Sequence, residues 1–176
     1  GVCSARHPAL RRRVGYLPGD FRVDPALTGT ELFRWFADLR GGLGSSRVSD
    51  LTERLRLDPG RKFGALSKGN RQKVGLVQAF MHDPDVLILD EPTSGLDPNP
   101  IRQVRELIKK LGRQHSMLLS THMLPEVEMT CSRVIIINKG KIEACDTPEN
   151  LLHQMRTASG VLLEAKTGTD DGVAEL

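Results

Sequence analysis

Hydrophobic residues are grouped along this chain in two ways, and each grouping predicts one kind of element. Short runs over 14–17, 86–89 and 117–120 are typical of strands, and 86–89 is entirely apolar, as expected of a strand buried in a parallel sheet. Elsewhere apolar residues recur at spacings of three and four, which predicts amphipathic helices between the strands. The pattern therefore predicts an α/β protein with a mostly parallel sheet.

The segment from about residue 27 to residue 82 is predicted to be helical. Thr28 and Glu31 form a capping box that begins a first helix, and the pair Gly41-Gly42 ends it. The apolar residues of this helix are Leu32, Phe33, Trp35, Phe36 and Leu39. We interpret its three aromatic residues as packing within the region rather than as a patch that faces a partner.

Two more helices are predicted in the same region. Ser45 or Ser46 can cap the second, whose apolar residues at 48, 51 and 55 share one face. Ser67 is placed as the N-cap of the third, which is expected from about Asn70 to Met81.

The remaining elements follow from turn and cap signals. A helix is predicted to begin at Asp97, whose carboxylate can cap it, and its apolar face is Ile101, Val104, Leu107, Ile108 and Leu111. Segments 134–137 and 141–144 predict a hairpin, and Thr147 with Pro148 predicts a further helix start. Residues 161–164 are predicted to form a last strand.

Composition and charge narrow the classes of partner. The chain has 176 residues, 39% of them hydrophobic, which suits one globular domain. A net charge of +3 does not favour nucleic acid, and we interpret the basic run at 11–13 as a solvated face. The cysteines, Cys3, Cys131 and Cys145, lack C-x-x-C spacing and favour free thiols in a reducing cytosol. No apolar stretch approaches the ~18 residues of a membrane span, so we expect membrane contact only through a partner.

Two adjacent carboxylates follow the apolar run at 86–89. Asp90 and Glu91 come where a parallel strand delivers side chains to the ligand-binding edge of an α/β sheet. This arrangement suits Asp90 as a Mg²⁺ ligand and Glu91 as the acid that orients water for displacement at a γ-phosphate. A strand-end Asp that caps the next turn is the structural alternative.

Two further segments carry candidate phosphate chemistry. The helix behind Ser67 presents unpaired N–H groups and a positive dipole end, which suits a γ-phosphate, although Ser67 alone is also a common structural cap. His122 follows the strand at 117–120, at the sheet edge where ligands bind. We interpret the other histidines, His7, His82, His115 and His153, as structural or surface residues.

Four motifs in this order resemble those of ATP-binding cassette (ABC) proteins. LSKGN at 66–70 is similar to their signature motif, VLILDE at 86–91 to their Walker B strand, and SGLD at 94–97 to their D-loop. His122 in LLSTHML is similar to their switch histidine. The resemblance extends from about Val14 to Ala158.

The resemblance implies a role for each matching residue. It implies that Ser67, Lys68, Gly69 and Asn70 contact the γ-phosphate of an ATP held on an opposite subunit. The common form of this motif is LSGGQ, but the cation of Lys68 and the side-chain amide of Asn70 keep anion binding plausible.

Downstream, the resemblance implies that Asp97 contacts the opposite subunit's phosphate loop and that Asp90 holds Mg²⁺. It also implies that Glu91 polarises water and that His122 senses the γ-phosphate. Where many members carry a Q-loop glutamine, this chain has Gly19, followed by Asp20.

The implied fold is a partial P-loop NTPase core of ABC type with a helical subdomain at about 27–82. We expect residues 1–158 to form a partial nucleotide-binding domain and 159–176 to begin a possible accessory domain. The sequence contains no G-x-x-x-x-G-K-[ST] phosphate loop. We therefore expect that loop to lie upstream and the chain alone to be inactive.

The implied function is that of an ATP-binding and hydrolysing subunit of an ABC exporter, with ATP and Mg²⁺ as ligands. Its expected partners are a second nucleotide-binding subunit and integral membrane permease subunits, with no nucleic acid. The expected location is the cytoplasmic face of the cell membrane, reached through the permease. Two alternatives stay open: a non-transport ABC ATPase, and an inactive interaction module that retains only the signature face.

Overall fold

A computed structural model describes residues 8–42 and 45–158 of the chain. The chain divides into two compact units, up to Thr130 and from Cys131 onward, which are described separately. Predictions for Cys3, His7 and the strand at 161–164 lie outside the described residues, as does the possible accessory domain at 159–176. That domain boundary therefore stays a prediction.

The first unit alternates helices and strands. Its strands are β1 (Val14–Leu17), β2 (Val86–Asp90) and β3 (Ser116–Ser120). Its helices are α1 (Pro8–Arg13), α2 (Gly29–Leu39), α3 (Ser45–Arg54), α4 (Lys68–Phe80), α5 (Pro98–Leu111) and α6 (Leu124–Thr130), with a 3₁₀ turn at Phe63–Ala65. The predicted strands and the predicted helices of this unit are present; α1, α6 and the 3₁₀ turn are additional.

The sheet is parallel and its strand order is β1-β2-β3. The register pairs Leu17 with Leu89 and Asp90 with Ser120, so the carboxyl ends of the strands meet at one edge. In open α/β sheets this edge is where ligands bind. The α/β prediction is confirmed, and the fold places the candidate carboxylates at the expected edge.

The sheet is buried on one face only among the described residues. Leu17, Leu87 and Leu89 are fully buried in a core that includes residues of α4 and α5. The opposite face exposes Tyr16 by 51% and Leu118 by 59%. Leu87 and Leu89 of the apolar run are buried as predicted, whereas Val86 is 37% exposed, because side chains alternate along a strand and only one set meets these helices.

The helix α2 begins as its sequence predicts. The Thr28 hydroxyl accepts from the Glu31 N–H, and the Glu31 carboxylate accepts from the Thr28 N–H at 2.8 Å. Of its aromatic residues, Phe33 is buried and Phe36 is partly buried against the core. Trp35 is 56% exposed, so its assignment to the core is wrong. It lies on the outer face and makes an edge contact with Phe36.

Two further local predictions, the cap of α3 and the solvated face at 11–13, have different outcomes. The helix α3 begins at Ser45, so both Ser45 and Ser46 lie inside the helix, and the prediction that one of them precedes it as the cap is wrong. Arg11, Arg12 and Arg13 are exposed, as predicted for a solvated face, and they form the last turn of α1. Arg13 pairs with Asp85, which immediately precedes β2.

The second unit contains the predicted hairpin. Strands β4 (Val134–Asn138) and β5 (Lys141–Asp146) are antiparallel, and Lys139 and Gly140 turn between them with positive φ. The helix α7 (Pro148–Ala158) follows, with the Thr147 hydroxyl accepting from the Asn150 N–H at 3.3 Å. Across the described residues of both units, no helix is both long and apolar enough to cross a membrane.

Candidate active site

The carboxylate of Asp90 joins the loops that follow all three parallel strands. One oxygen accepts from the N–H of Gly19 at 3.2 Å, and the other accepts from the hydroxyl of Ser120. Gly19 follows β1 and Ser120 ends β3, so Asp90 is held at the centre of the edge. Each of these oxygens keeps a further lone pair, which can face a ligand.

The donor set at Asp90 suits Mg²⁺. Among the described residues, no group of three or more His, Cys, Asp and Glu side chains could hold a metal ion. Mg²⁺ usually binds through one or two carboxylates, several waters and substrate phosphates, so a single held carboxylate fits its chemistry. Asp20, the residue after Gly19, instead pairs with Arg22 at 2.5 Å, and this hydrogen bond lowers the pKa of Asp20.

Glu91 leaves the strand in an unusual backbone conformation. Its φ is +48°, in the left-handed region, which costs about 1–3 kcal/mol for a residue other than glycine. Two hydrogen bonds hold it there: its N–H donates to the carbonyl of Ser120 at 3.0 Å, and its carbonyl accepts from the side chain of Gln72 at 3.1 Å. Since Gln72 belongs to α4, this helix directly supports the Glu91 backbone.

Glu91 and His122 form a hydrogen-bonded pair. The Nδ1 atom of His122 lies 2.7 Å from Oε1 of Glu91, and 31 residues separate the two in sequence. The hydrogen bond to the Glu91 carboxylate, and then its negative charge, raise the pKa of His122. The His122 side chain is 77% exposed, so its Nε2 edge is open to a ligand. The predicted catalytic residues are thus brought into direct contact.

The start of α4 packs against the SGLD loop. Ser67 is the N-cap, its oxygen accepts from the Asn70 N–H at 3.3 Å, and its hydroxyl hydrogen stays able to donate. A Cβ atom on Gly95 would lie 2.5 Å from Cδ of Lys68, and Gly95 has a φ of +73°. Glycine is therefore favoured at 95 by its backbone conformation, since the neighbouring Lys68 side chain is flexible and could move away from a Cβ atom.

Asp97 occupies the predicted N-cap position of α5 but does not cap it by side chain. The helix begins at Pro98, and the Asp97 carboxylate accepts no hydrogen bond from the N–H groups of the first turn. That part of the prediction is wrong, since prolines at 98 and 100 remove two of the N–H donors of that turn. The carboxylate is instead exposed.

The site residues form two groups. Asp90, Glu91 and His122 meet at the sheet edge, while Ser67, Lys68, Gly69 and Asn70 lie with Gly95 at the start of α4. Among the described residues, no hydrogen bond joins the side chains of these groups, and Gln72 provides the link through the Glu91 carbonyl. A cleft of about 440 Å³ lies beside the second group, between the loop at 19–23 and α4.

Three polar residues that support this region, Gln72, Ser120 and Glu126, were not predicted as site residues from the sequence. Gln72 and Ser120 support Glu91 and Asp90, and the buried Glu126 accepts hydrogen bonds from two threonines. Gln72 and Glu126 lie outside the motifs quoted above, and the contacts of all three residues join positions 5 to 33 residues apart. Periodicity carries no signal for such contacts.

Comparisons with a family model and with related proteins all indicate the same protein family. A family model described as ABC transporter matches residues 3–94, which is more than half of the chain. The chain is 43% identical over 124 residues to the uncharacterized ABC transporter ATP-binding protein YdbJ of Bacillus subtilis (strain 168), covering 68% of this chain and 40% of that protein. This chain therefore spans about two fifths of that relative's length.

Two further relatives are matched over longer stretches. The ABC transporter ATP-binding protein NatA of Bacillus subtilis (strain 168) is 34% identical over 89% of this chain and 67% of its own length. The Nod factor export ATP-binding protein I of Burkholderia pseudomallei (strain 1710b) is 34% identical over 94% of this chain and 52% of its own length.

Solved structures with a similar fold belong to the same family as these relatives. An ATP-binding subunit of an ABC transporter superposes with a TM-score of 0.73 at 30% identity, covering 86% of this chain and 66% of that one. A dimeric bacterial ABC transporter cassette superposes with a TM-score of 0.71 at 22% identity, over 79% of this chain and 65% of the other, which shows the shared fold. The family match, the identity to NatA and the sheet-edge geometry together show that this chain belongs to the ABC transporter family.

Proposed function

We propose that this chain is part of an ATP-binding and hydrolysing subunit of an ABC exporter. The observation that carries the proposal is the hydrogen bond between Glu91 and His122, beside the held carboxylate of Asp90. These three side chains occupy the ligand-binding edge of the sheet, and their chemistry matches phosphoryl transfer to water.

Glu91 is the group that activates water. One carboxylate oxygen is engaged by His122, and the second stays able to accept a proton from a water molecule. As the water oxygen bonds to the γ-phosphorus, the bond to the ADP oxygen breaks and Glu91 takes the proton. The two hydrogen bonds on its backbone hold the carboxylate in place before the reaction.

His122 links this carboxylate to the phosphate. Its raised pKa favours the protonated ring, which has two N–H donors. The Nδ1–H is used by Glu91, and the exposed Nε2–H is available to a phosphate oxygen. His122 can thus position the general base and detect the γ-phosphate at once.

Asp90 would hold Mg²⁺ at this edge. When bound, that cation would neutralise charge on the phosphate oxygens. The residues Gly19 and Ser120 keep the Asp90 carboxylate oriented, and this holding is their part in the site.

The start of α4 is proposed to bind the γ-phosphate of an ATP on a second nucleotide-binding subunit. Ser67 can donate its hydroxyl hydrogen, the N–H groups of Gly69 and Asn70 lie at the helix start, and Lys68 adds a positive charge. Asp97, exposed at the start of α5, is proposed to contact the partner's phosphate loop. A dimeric arrangement is known for a cassette of the same fold.

Permease subunits are the second proposed partner, which would place the subunit at the cytoplasmic face of the membrane. Trp35 and Leu39 are 56% and 60% exposed on α2, and such apolar exposure favours a protein contact. The export direction is supported by similarity to a protein named for Nod factor export.

The test is the Glu91→Gln variant of the complete gene product. Gln keeps the shape of the side chain but does not take a proton, so ATP turnover should be lost while the ATP-bound dimer is retained, as measured by phosphate release and by size-exclusion chromatography with ATP. Glu106→Gln, an exposed change on α5, is the matched control and should keep normal turnover. Normal hydrolysis by Glu91→Gln would refute the assignment.

A second test uses residues 1–176 alone. Since no G-x-x-x-x-G-K-[ST] sequence is present in them, we expect no saturable Mg-ATP binding by calorimetry from a folded sample. One-to-one binding in the micromolar range would mean that another nucleotide site exists in this chain.

A further inference from the structure

Glu126 is a buried carboxylate outside the motifs discussed so far. It lies on α6 and is 1% exposed. Its oxygen Oε1 accepts from the hydroxyl of Thr93, and its oxygen Oε2 accepts from the hydroxyl of Thr121 at 2.9 Å. The guanidinium of Arg105, on α5, lies 3.6 Å from Oε1. Both oxygens of one buried side chain are thus occupied by groups from different segments.

The two threonines lie beside the proposed catalytic pair. Thr93 is two residues after Glu91, and Thr121 directly precedes His122. Glu91 and His122 therefore lie on separate segments, and their 2.7 Å contact depends on how those segments are placed. The Glu126 carboxylate accepts hydrogen bonds from both segments, through Thr93 and Thr121. Its ion pair with Arg105 also connects it to α5, the helix that follows the SGLD loop.

Packing alone does not account for an acid at this position. A buried carboxylate is costly unless hydrogen bonds and a nearby cation compensate for its lost hydration, and an apolar residue of similar volume would fill the space without that cost. The carboxylate supplies two hydrogen-bond acceptor oxygens, one for the segment that contains Thr93 and one for the segment that contains Thr121. These two hydrogen bonds thereby restrict the positions of the segments that carry Glu91 and His122.

We propose that Glu126 is a positioning residue that holds Glu91 and His122 in contact. The catalytic consequence of this placement rests on the function proposed above, whereas the placement itself does not. The two are therefore tested by separate measurements.

The placement is tested on the 176-residue chain by NMR of the His122 ring, assigned with a His122→Gln variant. Glu126→Gln keeps the side-chain shape but leaves one acceptor oxygen for two hydroxyls. We expect the His122 ring resonances to move or broaden in Glu126→Gln at fixed pH. Glu128→Gln, an exposed change on the same helix, should leave them in place. Unchanged His122 resonances in a folded Glu126→Gln protein would overturn the proposal.

The catalytic consequence is tested in the complete gene product. We expect Glu126→Gln to lower kcat roughly 10- to 100-fold with little change in KM for ATP, because misplaced catalytic groups slow the chemical step. In a His122→Ala background the same change should have little additional effect. An equal loss of kcat with and without His122 would show that Glu126 does not act through the pair.

A second pair of variants covers the case in which Glu126→Gln does not fold. Thr121→Val removes the hydroxyl that bonds to Glu126, and Thr121→Ser restores it. The valine variant should shift the His122 resonances and the serine variant should not; identical spectra for the two would overturn the proposal. If the unsubstituted gene product has no ATPase activity, the proposed function fails, and the NMR comparison still decides the placement.

Discussion

His82 is expected to make the free energy of unfolding of this chain fall in mild acid. The residue follows α4, and its Nε2 atom lies 3.2 Å from the carbonyl of Val14 on β1. Because a carbonyl only accepts, the ring donates from Nε2. Its Nδ1 atom is buried and has no hydrogen-bond partner among the described residues. Protonation would place a second N–H there with no acceptor.

The charges around the ring also oppose protonation. Burial, followed by the positive charge of Arg40, accounts for most of the lowering of the His82 pKa from 6.5 to about 4. Arg47 acts in the same direction, while the Val14 carbonyl and the carboxylate of Asp83 act against it. The neutral ring is therefore the native form.

The sign of the pH dependence follows from this lowered pKa. Between pH 6.5 and about 4, the unfolded chain binds a proton that the native chain does not, so the free energy of unfolding falls as the pH falls through this window. One pKa unit corresponds to about 1.4 kcal/mol, which sets an upper limit of roughly 3 kcal/mol for His82. Between about pH 7.5 and about pH 5 the expected loss is about 2 kcal/mol.

The assay is urea unfolding of the chain and of His82→Gln at these two pH values. The Gln amide can still donate to the Val14 carbonyl but does not titrate, so the variant should lose about 2 kcal/mol less than the unsubstituted chain. Other titrating groups are common to both proteins and cancel in the difference. His153→Gln removes an exposed imidazole and is the matched control. Equal losses for His82→Gln and the unsubstituted chain would refute the reasoning.

Two substitutions test the packing that supports the sheet edge, both by urea unfolding. In Gly15→Ala, the new Cβ would lie 2.2 Å from the carbonyl oxygen of Ala79, so α4 has to move. We expect the free energy of unfolding to fall by about 1–3 kcal/mol or more, whereas the control Gly60→Ala should have a small effect. Equal effects of the two substitutions would contradict this expectation. Leu87→Ala opens a cavity on the buried face of β2 and should cost roughly 2–5 kcal/mol, whereas Leu118→Ala, 59% exposed on β3, should cost far less. Similar losses for the two leucines would mean that the open face is covered in solution.

Local signals in the sequence determined most helix and strand positions. The capping box at Thr28 and Glu31, the N-cap at Ser67 and the hairpin turn at 138–140 lie where the sequence predicts them. These features depend on hydrogen bonds between residues three or four positions apart, or on the φ that one residue adopts. The sequence contains that information directly.

Candidate chemistry was also visible in the sequence, but not its arrangement. The strand end at 90–91 could be singled out from its position after an apolar run, whereas His122 was distinguished from the other histidines by its spacing after Glu91 in the family resemblance. Their contact, at 2.7 Å across 31 residues, depends on the parallel register of β2 and β3 and on the left-handed turn at Glu91. Neither is specified by a local pattern.

Tertiary packing alone decided which apolar and polar residues are buried. Trp35 and Phe33 have the same helical signal, yet one is exposed and the other buried, because burial depends on which side of α2 meets the core. Glu126 would be assigned to the surface by its charge, yet it is buried because Thr93, Thr121 and Arg105 converge on it. The sequence alone determined the elements and the candidate residues; the three-dimensional packing determined their partners, since those contacts join segments that are distant in the chain.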